Sequence, residues 1–142
     1  MTPLLWLATA SALHLEMTPL ELCKAVDRVV VAEVTDLDPQ YTADGRIERR
    51  VHATVLQTVK GAEADGVDFV LPGGTVGDQT YFVSDTPNLM ANGRYLLFLH
   101  PQEGVLHLQG GEQGALRITR HGARRGVSVD EALELVEGCH GR

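Results

Sequence analysis

The sequence predicts a mainly β domain, a small sandwich or barrel, and three observations carry that prediction. Gly93-Arg94-Tyr95-Leu96-Leu97-Phe98-Leu99 runs a turn signal directly into five consecutive apolar residues, the pattern of a strand buried on both faces. Other short strand-like runs recur along the chain, separated by glycine- and proline-containing breaks such as Pro72-Gly73-Gly74-Thr75-Val76-Gly77 and Gly110-Gly111-Glu112-Gln113-Gly114. Capping boxes at Thr18-Pro19-Leu20-Glu21 and Ser128-Val129-Asp130-Glu131 then place one short helix at each end of the β region. A chain of 142 residues suits one domain with one core, and the 44% apolar and 22% charged composition is that of a folded protein. Aromatic residues are only 5%, so Leu and Val must fill most of the interior.

Taken in order, the first helix should span 19–26, with proline at its first position and Leu22 and Val26 facing a core. Residues 28–34 form the first strong strand. Its Val29-Val30-Val31 run predicts burial on both faces or a bulge, and Asp38-Pro39 is expected to end it. Asp44-Gly45 marks a hairpin turn. The long strand 46–59 alternates, with Ile47, Val51, Ala53 and Val55 on one parity and Glu48, Arg50, His52 and Thr54 on the other. Leu56 falls on the polar parity, which predicts a bend into the core there. Strands follow at 67–71, 79–83 (an edge strand), 95–99, 105–108 and 115–119. A helix over 129–137 then buries Leu133 and Val136, with Gly138 as its cap.

Residues 4–15 are mostly apolar and too short to span a bilayer. Ala8-Thr9-Ala10 and Ala10-Ser11-Ala12 supply small residues for cleavage, so residues 1–12 are taken as a signal peptide despite the missing positive n-region. That makes the protein secreted or periplasmic. Met-Thr-Pro-Leu occurs at Met1 and again at Met17, and a start at Met17 would instead leave the chain cytoplasmic. Two cysteines, Cys23 and Cys139, belong to no Cys-x-x-Cys or zinc spacing. In an exported chain they suggest one disulfide tying the ends together; in a cytosolic one they would be two buried thiols.

Composition and motifs exclude several chemistries. The net charge of −7 disfavours phosphate backbones and anionic lipid, and the one basic cluster, Arg117, Arg120, Arg124 and Arg125, lacks interleaved aromatics, so no nucleic-acid partner is expected. Six histidines (His14, His52, His100, His107, His121, His140) show no ligand spacing, although one strand face could bring His107 near Glu103 or His100. Asp36, Asp38, Asp44, Asp65, Asp68, Asp78 and Asp85 lack a calcium-loop register and read as turn acids. Ser84 is not in a nucleophile elbow, and the Gly73–Gly77 stretch lacks the Lys-Ser/Thr ending of a phosphate loop. The expectation is therefore no catalytic residue, no metal and no cofactor.

Several of these stretches together resemble a known pattern. Ala25-Val26-Asp27-Arg28-Val29-Val30-Val31-Ala32-Glu33-Val34 follows a short helix, and a long strand ends in Val59-Lys60-Gly61. Pro72-Gly73-Gly74-Thr75-Val76-Gly77, Asn92-Gly93-Arg94-Tyr95-Leu96-Leu97-Phe98-Leu99 and Gln113-Gly114 complete it. The pattern, over 18–119, is similar to a group of exported bacterial domains resembling the netrin-like modules of tissue metalloprotease inhibitors. The resemblance implies an OB-like barrel with short N- and C-terminal helices, forming a single domain over 18–139. It also implies a protease as a partner. In the animal inhibitors an N-terminal cysteine chelates the protease zinc, whereas Cys23 lies beyond either cleavage site, so that wedge is not expected.

The function expected is non-enzymatic binding of a protein or extracellular polymer. The alternatives are a metalloprotease inhibitor or protease-associated module and, behind these, a hydrolase. Loop 73–92 carries Tyr81, Phe82, Leu89 and Met90, which would form an interaction patch if exposed and an edge cover if buried.

Overall fold

A computed structural model describes residues 17–119 and 126–139. The leader (1–12), Arg120, Arg124, Arg125, His14, His121 and His140 lie outside the described residues.

Helix α1 spans Pro19–Ala25. The Thr18 hydroxyl accepts a hydrogen bond from the Glu21 amide (3.1 Å) and the Glu21 carboxylate accepts one from the Thr18 amide (2.9 Å), completing the capping box. Strands β1 (Arg28–Tyr41), β2 (Ile47–Lys60) and β3 (Gly66–Pro72) form a meander. A small separate hairpin follows, β4 (Gly74–Val76) with β5 (Gln79–Tyr81). Then come β6 (Arg94–Gln102), β7 (Val105–Leu108), a 3-10 turn at Gly111–Gly114, β8 (Ala115–Ile118) and helix α2 (Val129–Leu135), which Ser128 and Glu131 cap as a second box.

The main sheet has the order β1-β2-β3-β7-β6-β8, and β6 also pairs with β1, so that five strands close into a ring. All pairings in it are antiparallel except β3–β7, which meet in parallel at Val70 and His107. One edge of β6 faces β1, while β8 and then β7 occupy the other edge in succession.

The apolar runs divide by parity into two cores. Val30, Ala32 and Val34 of β1 and Tyr95, Leu97 and Leu99 of β6 point into the ring, where they meet Val51, Ala53, Val67, Phe69 and Leu71. Val29 and Val31 of β1 and Leu96 and Phe98 of β6 point outwards, against Leu22 of α1 and Ala132 of α2 and the residues that cap these helices, Val26 and Val136. That second face explains the uninterrupted valines and leucines: a strand covered on both sides has no position left for a polar residue. The Cys23–Cys139 disulfide lies inside the outer core, with Cα atoms 6.1 Å apart, and joins the two helical ends across 116 residues of sequence. The Lys60 ammonium donates to the Cys23 carbonyl (2.8 Å), satisfying an acceptor that the short helix leaves free.

Four sequence expectations are corrected here. β1 does not stop at Asp38-Pro39 but runs to Tyr41, with Pro39 opposite Arg49. Its pairing with β6 ends at Glu33, so Pro39 sits on an open edge, where a missing N–H costs no ladder bond. Leu56 does not turn into the core; it is 47% exposed. Val31 pairs with Gln57 and Ala32 with Val55, leaving Leu56 as the extra residue of a bulge, which faces out. The chain over 79–83 is not an edge of the main sheet, since β5 pairs only with β4 and ends at Tyr81. At the C-terminal end α2 is shorter than predicted, and Gly138 (φ +95°) turns the chain so that the Cys139 amide bonds to the Val136 carbonyl (3.0 Å).

Two outcomes follow for chemical denaturation. Leu97→Ala and Phe98→Ala each lower stability by about 2–5 kcal/mol although they empty different cores, whereas Leu56→Ser changes it by less than about 0.5 kcal/mol. The Cys23→Ser/Cys139→Ser double variant loses about 4–5 kcal/mol on the loop-closure estimate, and reductant lowers the wild-type melting temperature but not that of the variant.

Candidate functional site

The candidate patch is built on the segment joining β3 to β6. At its start Gly73 takes φ +88°, and a Cβ there would meet the Tyr81 carbonyl at 2.9 Å, so glycine is required for both reasons. The Gly73 amide donates to the Ile47 carbonyl (2.8 Å). The Arg49 guanidinium, half-buried, donates to the carbonyls of Gly73 (3.1 Å) and Pro72 (3.0 Å) and clamps the hairpin to β2. Gly77 (φ +62°) is the first residue of the two-residue turn between Val76 and Gln79, and the hydroxyls of Thr75 and Thr80 bond across the hairpin (2.9 Å).

The second half of the segment is held by different anchors. The Asp85 carboxylate accepts a hydrogen bond from the Glu112 amide (3.2 Å) and lies where a Cβ at position 111 would stand, so only glycine fits there. The Met90 amide donates to the Tyr95 hydroxyl (3.0 Å), and Asn92 and Gly93 exchange backbone bonds with Val34. These contacts give the glycine run after β7 a role: it receives the loop. Gln113, next to it, bonds through its amide to both backbone groups of Met17 (3.3 Å each), which ties down the entry to α1.

Between the anchors the four apolar residues part company. Leu89 is buried in the inner core beside Tyr95 and Leu97, so it covers the ring and leaves the patch. Phe82 is 84% exposed, Met90 54% and Tyr81 39%. Tyr81 stands between two grooves. One, of about 340 Å³, is lined by Gly74, Thr75, Phe82, Pro87 and Asn88. The other, of about 180 Å³, is lined by Thr42, Arg46, Glu48, Val70 and His107. Met90 reaches the other side, where the Arg117 guanidinium lies 3.8 Å from its sulfur.

The second groove was not anticipated from the sequence, although Asp44-Gly45 marked the turn that forms its rim. There the Asp44 carboxylate is held below its usual pKa by a hydrogen bond from Thr42 and by Arg46, with which it forms an exposed ion pair (3.0 Å). Asp44, and secondarily Tyr81, hold the Arg46 pKa above its usual value. Arg49 is pushed the other way by burial, in keeping with its role as a clamp.

The remaining candidates are dispersed. His52 pairs with Asp68 across β2 and β3, and His100 and His107 face each other across β6 and β7. Asp36 and Asp38 lie within β1, not in a loop. Among the described residues no three His, Cys, Asp or Glu gather as a cation cage. Ser84 lies in the loop after β5 and Ser128 caps α2. Cys23 is in mid-helix, buried and disulfide-bonded, so exposing its amine would require cutting α1. Among the described residues no helix is long and apolar enough to cross a membrane. No family model, curated protein or solved structure matches this chain.

The two fates of loop side chains are separable by substitution. Leu89→Ala costs about 2–5 kcal/mol of stability in urea titration, and Phe82→Ser stays within about 0.5 kcal/mol of wild type.

Proposed function

We propose that this chain is a non-enzymatic, exported binding domain that holds a protein partner on the surface formed by Tyr81, Phe82 and Met90. The observation that carries the reading is Phe82, a large aromatic left 84% exposed on a segment whose backbone is anchored on both sides. A single exposed apolar residue is ordinary, but Tyr81 and Phe82 flanking one groove, with Met90 also exposed on the same braced segment, have the make-up of an interface centre. Aromatic side chains supply most of the binding energy in such centres, because they bury much area while few rotatable bonds are fixed.

The closed ring, with its single parallel join and flanking helices, supports the OB-like, netrin-like reading of the fold. The disulfide supports an oxidising compartment, hence secretion or the periplasm. A protease remains the partner class that the resemblance suggests, acting through this surface and not through Cys23. An extracellular polymer lying in the Tyr81 grooves is the variant of the same reading that dispenses with a protein partner.

The test compares the folded wild type with Tyr81→Ser/Phe82→Ser as bait in the exported fraction of the source cells. A partner retained by the wild type should bind the variant at least about 30-fold more weakly, the effect of losing an interface centre worth 2 kcal/mol or more. Equal retention by both proteins, with equal melting temperatures, overturns the assignment to this surface.

A further inference from the structure

The outer face of β6 and β7 carries a pair of histidines that the binding surface does not use. Leu99 and Leu108 are directly opposite each other and both pack into the ring interior. The next pair along the ladder, His100 and His107, therefore shares the outer face, because successive side chains alternate. Directly opposed residues of antiparallel strands have Cβ atoms about 4.5–5.5 Å apart. Two imidazoles on such a pair can reach one ion at the ordinary metal–nitrogen distance of about 2.0–2.1 Å.

The surroundings of His100 single out one of its nitrogens. Its Nδ1 is shielded from solvent and has no hydrogen-bond partner, and the nearest carboxylate, Asp27, is 3.8 Å away. Arg28 pairs with Leu99, so the register sets Asp27 beside His100 at the start of β1. The 3.8 Å separation is too long for a hydrogen bond, so Asp27 leaves the His100 Nδ1 uncommitted. His107 is half-buried and borders the Tyr81 groove, and His100 is likewise only half-buried, so neither ring is sealed from solvent.

We propose that His100 and His107 form a two-imidazole site for a borderline divalent transition ion of the Cu2+, Ni2+ or Zn2+ class. Imidazole selects such ions over Ca2+ or Mg2+, which take oxygen ligands. Because no third His, Cys, Asp or Glu of the described residues completes a cage, water fills the remaining positions. The site consequently binds reversibly and does not hold up the fold.

Calorimetric titration of the full chain with ZnCl2 and with NiCl2 tests this, alongside His100→Ala, His107→Ala and His52→Ala. His52 serves as the control because it already pairs with Asp68 on another part of the sheet. The expected result is one site that weakens at least tenfold in the His100 and His107 variants and is unchanged in the His52 variant. Binding that survives both substitutions overturns the proposal, as does a wild type that takes up neither metal. If His100→Ala fails to fold, His107→Gln in the same titration decides the matter. Histidine ring NMR then provides the second readout: added ZnCl2 must shift the His100 and His107 signals together, and unmoved signals overturn the site.

Discussion

The pairing of Arg28–Glu33 with Leu99–Arg94 closes the ring, and both cores are built on it. Without it β1 and β6 would each be an open edge, and their outward residues Val29, Val31, Leu96 and Phe98 would have no wall to form. With it, one two-strand ladder supplies the inside of the ring and the floor beneath two helices. The disulfide then fixes the helices to that floor from positions near opposite ends of the sequence. This arrangement lets a chain poor in aromatics bury enough surface: small branched residues pack on both sides of the same backbone, where a one-sided sheet would use only half of them.

The braced loop depends on this wall too. Val34, just beyond the β1–β6 pairing, receives the backbone of Asn92 and Gly93, and Tyr95 on β6 receives the Met90 amide. The inward step of Leu89 and the outward display of Phe82 and Met90 are set by those fixed points and by the Arg49 and Asp85 anchors. A surface built this way presents its aromatic side chain with little backbone entropy left to lose on binding, which favours affinity without new contacts.

Much of the fold was legible in the residues because burial leaves a periodic record. Both capping boxes, the two-sided Val29–Val31 and Leu96–Phe98 runs and the Asn92-Gly93 turn (Asn92 φ +70°) are where local chemistry places them. The misreadings of β1 and β2 share one cause. Pro39 is tolerated and Leu56 is exposed because of which strand lies next to them, and a bulge or an edge is a property of the pair and not of either strand. The candidate site was legible only in composition. Tyr81, Phe82, Leu89 and Met90 sit in irregular backbone with no period, so inward and outward positions could not be told apart before the anchors were known. The alternation around His107 left Glu103 and His100 as its two possible neighbours, and the β6–β7 register is what sets His100 opposite it.

Native-state hydrogen exchange tests the primacy of the β1–β6 wall most directly, since it measures the opening free energy of each ladder separately. Amides of Val29–Ala32 and Leu96–Leu99 should exchange only through global unfolding and share the highest protection in the chain, with the β4–β5 hairpin opening well below them. Protection of the β1–β6 amides that falls to the hairpin's level, while β2 and β3 stay at the global value, would contradict the account.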